Sequence, residues 1–229
     1  MFDSALPQNK LLAELHPKTL HRLMPKLERF EMHFGDRLYE QGDVFTHTYF
    51  VERGVISLLA AAGENSTIEV AMVGSEGMAA LPVFLGIEKS SNRAVVQGEG
   101  FAMRMTVADM ADECSASDEL PRLLRLFTYS ILLQIARSAV CNRFHPIEAR
   151  LARWLLMTAD RMKSPEFKIT QEFLSYMLGV RREAVNKTAT GLQRQRLISY
   201  SRGNMTIIDR KNLEEIACNC YGSVAIPAA

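Results

Sequence analysis

Thr170-Gln171-Glu172-Phe173-Leu174-Ser175-Tyr176-Met177-Leu178-Gly179-Val180-Arg181-Arg182-Glu183-Ala184-Val185-Asn186-Lys187 is the stretch on which the reading of this chain turns. It predicts two short helices joined by a tight turn. Leu174, Leu178, Val180 and Val185 supply the apolar contacts that hold such a pair at a steep angle. Gly179 occupies the turn, where a positive φ meets no Cβ penalty, and Thr170 can cap the first helix. In the second helix Val185, Ala189 and Leu192 recur at i, i+4 and i+7 and mark its inward face. Arg182 and Asn186, then Glu183 and Lys187, fall one turn apart on the outward side. Those residue types suit base edges: Arg or Lys donates to guanine, Asn pairs with adenine and Glu accepts from cytosine. They lie in the first two turns, the part of a recognition helix that enters a major groove. Beyond it, Leu197–Tyr200 and Met205–Ile208 flank Arg202-Gly203-Asn204, a hairpin wing with Arg202 at its tip. The candidate duplex-contacting residues are therefore Thr170, Gln171, Arg181, Arg182, Glu183, Asn186, Lys187 and Arg202.

Upstream the texture changes twice. Ile147, Leu151, Leu155, Thr158 and Met162 line one face of a helix, with Arg150, Arg153 and Arg161 off that stripe. His145-Pro146 punctuates the chain before it and is the expected domain boundary. From Leu120 to Asn142 the pattern is again helical. Leu120, Leu124, Phe127, Ile131 and Gln134, continued by Ser138 and Cys141, follow a 4-3-4-3 spacing, the seam of a coiled-coil-like pairing. Leu123, Leu126 and Leu133 form a second apolar line beside it. A helix apolar on two faces must bury both, which suggests one face on the preceding domain and one on a symmetry mate. Complete burial inside one domain is the alternative. Between residues 31 and 106 glycines recur among short apolar runs. Ile68, Val70 and Met72 alternate with Thr67, Glu69 and Ala71, and a turn is expected at Gly63-Glu64-Asn65. Phe101, Met103 and Met105 likewise alternate with their neighbours, and the whole indicates a compact antiparallel barrel or sandwich. Residues 8–30 carry helical spacing broken by Pro17 and Pro25.

The net charge is +1 over 229 residues, but its distribution is uneven. Residues 1–144 hold 14 Lys/Arg against 18 Asp/Glu, and residues 145–229 hold 13 against 8. A basic C-terminal module beside an acidic one suits a polyanion-binding domain joined to another function. With no basic-then-apolar leader and no apolar run long enough to span a membrane, a cytoplasmic location is expected. Cys114, Cys141, Cys218 and Cys220 show no paired CxxC spacing, so no metal site is expected. No Ser-His-Asp order, phosphate-binding glycine loop or paired metal ligands suggests an enzyme.

With these motifs in place, nearly the whole chain resembles the Crp/Fnr family of bacterial transcription regulators. Gly179-Val180-Arg181-Arg182-Glu183-Ala184-Val185-Asn186-Lys187 is similar to that family's recognition-helix motif, with Arg182 and Glu183 at its base-reading positions and Lys187 where Arg is usual. Gly42-Asp43 and Tyr49-Phe50-Val51-Glu52-Arg53-Gly54 resemble the turn and strand of its effector-binding β-roll. The resemblance implies an α+β architecture of three parts: a jelly-roll-like antiparallel β-roll over 1–115, a dimerisation helix over 116–144 and a winged helix-turn-helix over 145–229. It implies a homodimer seamed by Leu120, Leu124, Phe127, Ile131 and Gln134, double-stranded DNA and RNA polymerase as partners, and no membrane. The family's cyclic-nucleotide cassette corresponds here to Gly77-Met78-Ala79 and Asn92-Arg93. The ribose-binding Glu is replaced by Met78 and the phosphate-binding Arg is displaced by one residue, which in a strand turns it to the other face. Ordinary cAMP or cGMP binding is therefore not expected, no cofactor is required, and a small-molecule effector of unknown identity is allowed. The iron–sulfur members use an N-terminal cysteine cluster, and here no Cys precedes Cys114; His16, His21, His33 and His47 stand singly. The same residues also fit a ligand-binding sensor module whose winged helix mediates protein–protein contacts.

Overall fold

The computed structural model describes residues 7–61, 63 and 67–222. They divide into two compact units, the first built from residues up to Ile56 with Val73–Ser130, the second from Ser57–Met72 with residues from Ile131 onward. This division differs from the boundary expected at residue 145. The long helix is shared, and a β-hairpin of the roll belongs with the C-terminal unit.

In the first unit the proline-broken N-terminal segment forms two short helices, α1 (Lys10–Ala13) and α2 (Pro17–Leu23). Asn9 caps α1 by accepting from Leu12 N, and its buried amide Nδ2 donates to Val51 O at 2.9 Å and Gly77 O at 2.7 Å. One polar side chain thereby ties the N-terminus to two places in the roll without leaving its own amide unmatched. Six strands follow: β1 (Glu28–Met32), β2 (Arg37–Tyr39), β3 (His47–Ala61), β4 (Thr67–Val73), β5 (Met78–Ala79) and β6 (Arg93–Thr106); the period-two runs fall in β4 and β6. They form one sheet in the order β1-β6-β3-β4, with β2 on β6 and β5 on β3. Of the turn expected between β3 and β4, Glu64 and Asn65 lie outside the described residues. Helix α3 (Val107–Ala116), which the sequence analysis did not separate, follows β6 directly, with Thr106 accepting from Asp109 N as its N-cap.

Helix α4 (Glu119–Phe144) corrects the expected dimer seam. Leu120, Leu124 and Phe127 are buried in the first unit's core, and Ile131 and Gln134 in the second's. A seven-residue repeat reveals a stripe that must be covered, not what covers it, and here these residues are buried within the chain itself. Gln134 explains the polar position: its Oε1 accepts from Met72 N at 2.7 Å and its Nε2 donates to Met72 O at 3.1 Å. The side-chain amide therefore pairs with β4 as a backbone would. The apolar residues left in solvent along α4 are instead Tyr129, Leu132, Ile135, Val140 and Phe144, at 53%, 58%, 36%, 49% and 71% exposure. Length and composition also make α4 apolar enough to cross a membrane, contrary to the sequence expectation, although its seam is buried in the protein core.

The remainder of the second unit runs α5 (Ile147–Met162), β7 (Glu166–Lys168), α6 (Gln171–Leu178), α7 (Arg182–Arg194), β8 (Ile198–Ser201), β9 (Asn204–Ile207) and α8 (Arg210–Ile216). The α5 stripe is inward as expected, with Leu151, Leu155 and Thr158 almost fully buried. Strand β7 makes the wing a three-stranded sheet, ordered β7-β9-β8.

Candidate nucleic-acid interface

Thr170 begins the helix pair by accepting from Phe173 N at 3.1 Å, and Gly179 ends α6 with φ +60°. Gly179 N donates to Tyr176 O and Val180 N to Ser175 O, closing the orphaned carbonyls of the last turn. Glycine has a second reason here: a Cβ would lie 2.7 Å from Ile68 Cδ1 of β4. Any larger residue would strain the backbone and push on that strand.

Helix α7 presents two unlike faces. Val185, Ala189 and Leu192 are buried. Arg181, Arg182, Glu183, Asn186 and Lys187 are all exposed, as expected from their spacing. Gln171 Nε2 donates to Asn186 Oδ1 at 3.1 Å, which joins the two helices and leaves the Asn186 amide nitrogen directed by that bond. Thr170 is exposed and Gln171 half-buried at the start of α6, on the same side of the pair. The wing turn comprises Arg202 (φ +51°) and Gly203 (φ +81°), closed by the Ser201–Asn204 pair. Two consecutive positive φ angles match the right-handed twist of the flanking strands, and Arg202 is left exposed at the tip.

Several supporting residues were not legible in the motif. Tyr200 N donates to Gln193 Oε1 at 2.6 Å and its hydroxyl donates to Ile169 O at 3.0 Å, fixing the wing to α7 and to the segment before α6. Burial pushes the Tyr200 phenol up. Arg150, set aside as lying off the α5 stripe, donates through Nη2 to Asn142 Oδ1 at 2.7 Å and to Leu178 O at the end of α6. Glu69 of β4 accepts from Trp154 Nε1 at 3.0 Å with its carboxyl out of reach of solvent. Burial raises that carboxyl to about 7 against hydrogen bonds from Ser57 and Trp154 and the charges of Arg153 and Arg161.

The residues expected at an effector cassette are placed otherwise. Gly77 lies under the Phe127 ring, where a Cβ would stand 2.0 Å from Cζ. Met78 and Ala79 are buried as β5, paired with Phe50 and Tyr49. Asn92 is bracketed by Ser90, whose hydroxyl donates to Asn92 O at 2.6 Å, and Arg93 Nε donates to Glu40 Oε2 at 2.5 Å. Arg93 is thus neutralised by a neighbouring carboxylate. A cavity of about 510 Å³ lies elsewhere in the first unit, against Phe45, Val83, Phe84, Ile87, Met110 and Cys114. Its lining includes none of the five expected residues. In the second unit Cys141, distant in sequence from Cys218 and Cys220, meets both of them and His145.

Residues 149–216 match the family model of the Crp-like helix-turn-helix domain. Among solved structures, the chain is similar to the c-di-GMP responsive global regulator CLP of Xanthomonas campestris, with 16% identity, a TM-score of 0.68 and coverage of 84% of this chain and 99% of that one. It is similar to FixK2 from Bradyrhizobium japonicum at 13% identity and TM-score 0.69, covering 84% and 98%. A transcriptional regulator of the CRP family from Thermus thermophilus shares 18% identity at TM-score 0.68, covering 88% and 100%. No curated protein matches. The match over 149–216 and the near-complete coverage of these structures together identify the C-terminal region as a Crp-like helix-turn-helix domain within a chain that has the two-domain fold of the Crp/Fnr regulators.

Proposed function

We propose that this protein is a homodimeric, sequence-specific DNA-binding transcription regulator. The observation that carries this reading is the exposed polar rim of α7, with Arg181, Arg182, Glu183, Asn186 and Lys187 outward over a buried Val185-Ala189-Leu192 stripe. The rim brings donors and acceptors into a major groove, Gln171 aligns Asn186, and Arg202 on the wing meets a phosphate. Tyr129, Leu132, Val140 and Phe144 of α4 form the surface on which a second copy packs. Two-fold symmetry then sets an inverted repeat with half-sites about one helical turn apart.

An effector at the roll is apolar on this reading. The 510 Å³ cavity is of ordinary ligand size, and pairing with Glu40 leaves Arg93 a poor phosphate clamp. A selection of binding sites from random duplexes, done with and without cAMP and cGMP, tests the whole reading. The expected outcome is one inverted repeat, unchanged by either nucleotide, with affinity falling steeply as salt rises. Failure to enrich any repeat, together with a flat salt dependence, would favour a protein-binding winged helix instead.

A further inference from the structure

Four metal-ligating side chains converge at the C-terminal end of α4, away from the polar rim of α7. Cys141 and His145 are four residues apart, and His145 N donates to Cys141 O at 3.1 Å, so the helical turn continues past Phe144 and both side chains share a face. Cys218 and Cys220 come from the turn after α8, where Tyr221 N donates to Cys218 O at 2.9 Å. The Cys141 and Cys218 sulfurs are 3.5 Å apart, Cys220 Sγ is 3.7 Å from His145 Nδ1, and the ligand atoms of all four residues lie within 4.8 Å of one another.

Those separations have a chemical meaning. With zinc–sulfur bonds of about 2.3 Å and zinc–nitrogen bonds of about 2.0 Å, a tetrahedral site puts neighbouring sulfurs about 3.8 Å apart and sulfur about 3.5 Å from nitrogen. Two of the six ligand pairs, Cys141–Cys218 at 3.5 Å and Cys220–His145 at 3.7 Å, stand within a few tenths of an ångström of those values, and the remaining separations are no more than 4.8 Å. An iron–sulfur cube spreads its thiolates over separate corners, whereas a ligand set this tight surrounds a single ion. Three soft sulfurs and an imidazole disfavour oxygen-seeking magnesium, calcium or manganese. All three cysteines are buried, with Cys141 at 0% exposure.

We propose that Cys141, His145, Cys218 and Cys220 bind one zinc ion in a closed Cys3His site. Binding expels the three thiol protons to solvent and uses neutral imidazole, so the ion and its ligands together carry one negative charge. Arg150 is near enough to Cys141 and Cys218 to offset it, and the same guanidinium holds Leu178 O at the end of α6. Four protein ligands leave no open position, which makes the ion structural. It joins the segment after α8 to the α4–α5 corner and, through Arg150, steadies the helix pair.

The test uses the full chain, purified under reductant without metal-affinity resin. Elemental analysis is expected to find one zinc per chain, surviving dialysis. Cobalt exchanged for that zinc should give the intense visible bands of a tetrahedral thiolate site. Cys141→Ser and Cys220→Ser should each lose the metal and the spectrum, while Cys114→Ser, in the other unit, should keep both. Circular dichroism identifies any variant that does not fold, and the wild-type cobalt spectrum needs no variant. Wild-type protein without zinc and with only the pale spectrum of six-coordinate cobalt would overturn the proposal. So would full zinc in folded Cys220→Ser, or a Cys141–Cys218 disulfide in anaerobically prepared protein. None of these readouts involves DNA, so their failure leaves the duplex-binding reading intact.

Discussion

Helices α4 and α7 are both amphipathic, yet they use their second face in opposite ways. The inward stripe of α7 is buried and its outward face is charged, so nothing apolar remains to be covered. Helix α4 buries Leu120, Leu124, Phe127, Ile131 and Gln134 and still leaves Tyr129, Leu132, Val140 and Phe144 in water. A polar outer face asks for a polar partner such as DNA; an apolar one asks for another protein surface. On the proposed reading the two helices divide recognition between nucleic acid and a second copy of the chain.

The comparison breaks first on α4. Leu132→Glu combined with Val140→Glu is expected to abolish the dimer while leaving the monomer folded. Four apolar side chains leave a symmetric interface, at about 1.5–3 kcal/mol each, or roughly 6 kcal/mol or more in all. Analytical ultracentrifugation reads the dissociation and a thermal melt reads the fold. Leu124→Ala is the converse. Its side chain is fully buried within the chain, so the monomer should lose about 2–5 kcal/mol while self-association persists. A variant pair behaving the other way round would restore the original seam as the dimer face.

Support behind the recognition helix is expected to depend on pH. Glu69 adjoins Ile68, the residue against Gly179 in the turn of the helix pair. Burial holds the Glu69 carboxyl at about 7 in the folded protein, from an ordinary value of 4.5. The folded state therefore binds the proton more tightly than the unfolded chain between those values. Stability from this group is fully present below 4.5 and is lost as pH rises through 7, by on the order of 3 kcal/mol at most. Urea titrations of wild type and Glu69→Gln at pH 5 and pH 8 check this. The variant keeps an acceptor for Trp154 and should lose much of the difference; an equal pH dependence in both proteins would place the proton elsewhere.

On the α7 side, Arg182→Ala should cost about 1–3 kcal/mol of specific affinity and relax preference at one base pair. Fluorescence anisotropy against the selected repeat and single-base variants of it measures both. Unchanged selectivity would move base reading to other residues of the rim.

What the sequence made legible follows the range of each interaction. Thr170, Gly179 and Val185-Ala189-Leu192 act over a single turn, so spacing alone placed them, and period-two runs placed β4 and β6. The α4 seam is visible as a stripe, but the bond of Gln134 to Met72 of β4, 62 residues away in sequence, is recorded in no local pattern. Alternation in β4 registers polarity and gives no sign that the Glu69 carboxyl is matched to Trp154, 85 residues away in sequence. Cysteine spacing has the same limit. Cys141 and Cys218 are 77 residues apart, and His145 stands in the sequence as punctuation before Pro146. Rules built on two close-set ligand pairs do not register a cluster whose members lie at the end of α4 and beyond α8.

The smallest effect should separate the wing from the helix. Arg202 is exposed at the tip of a two-residue turn, where on the proposed reading it meets the phosphate backbone. Arg202→Ala should therefore weaken all duplexes by a similar factor and reduce the slope of log affinity against log salt by about one, without changing base preference. Arg182→Ala should change preference as well, because on the proposed reading Arg182, in the first turn of α7, meets base edges. If Arg202→Ala alters selectivity instead, the wing itself reads sequence, and the division of labour between α7 and the β8–β9 turn has to be redrawn.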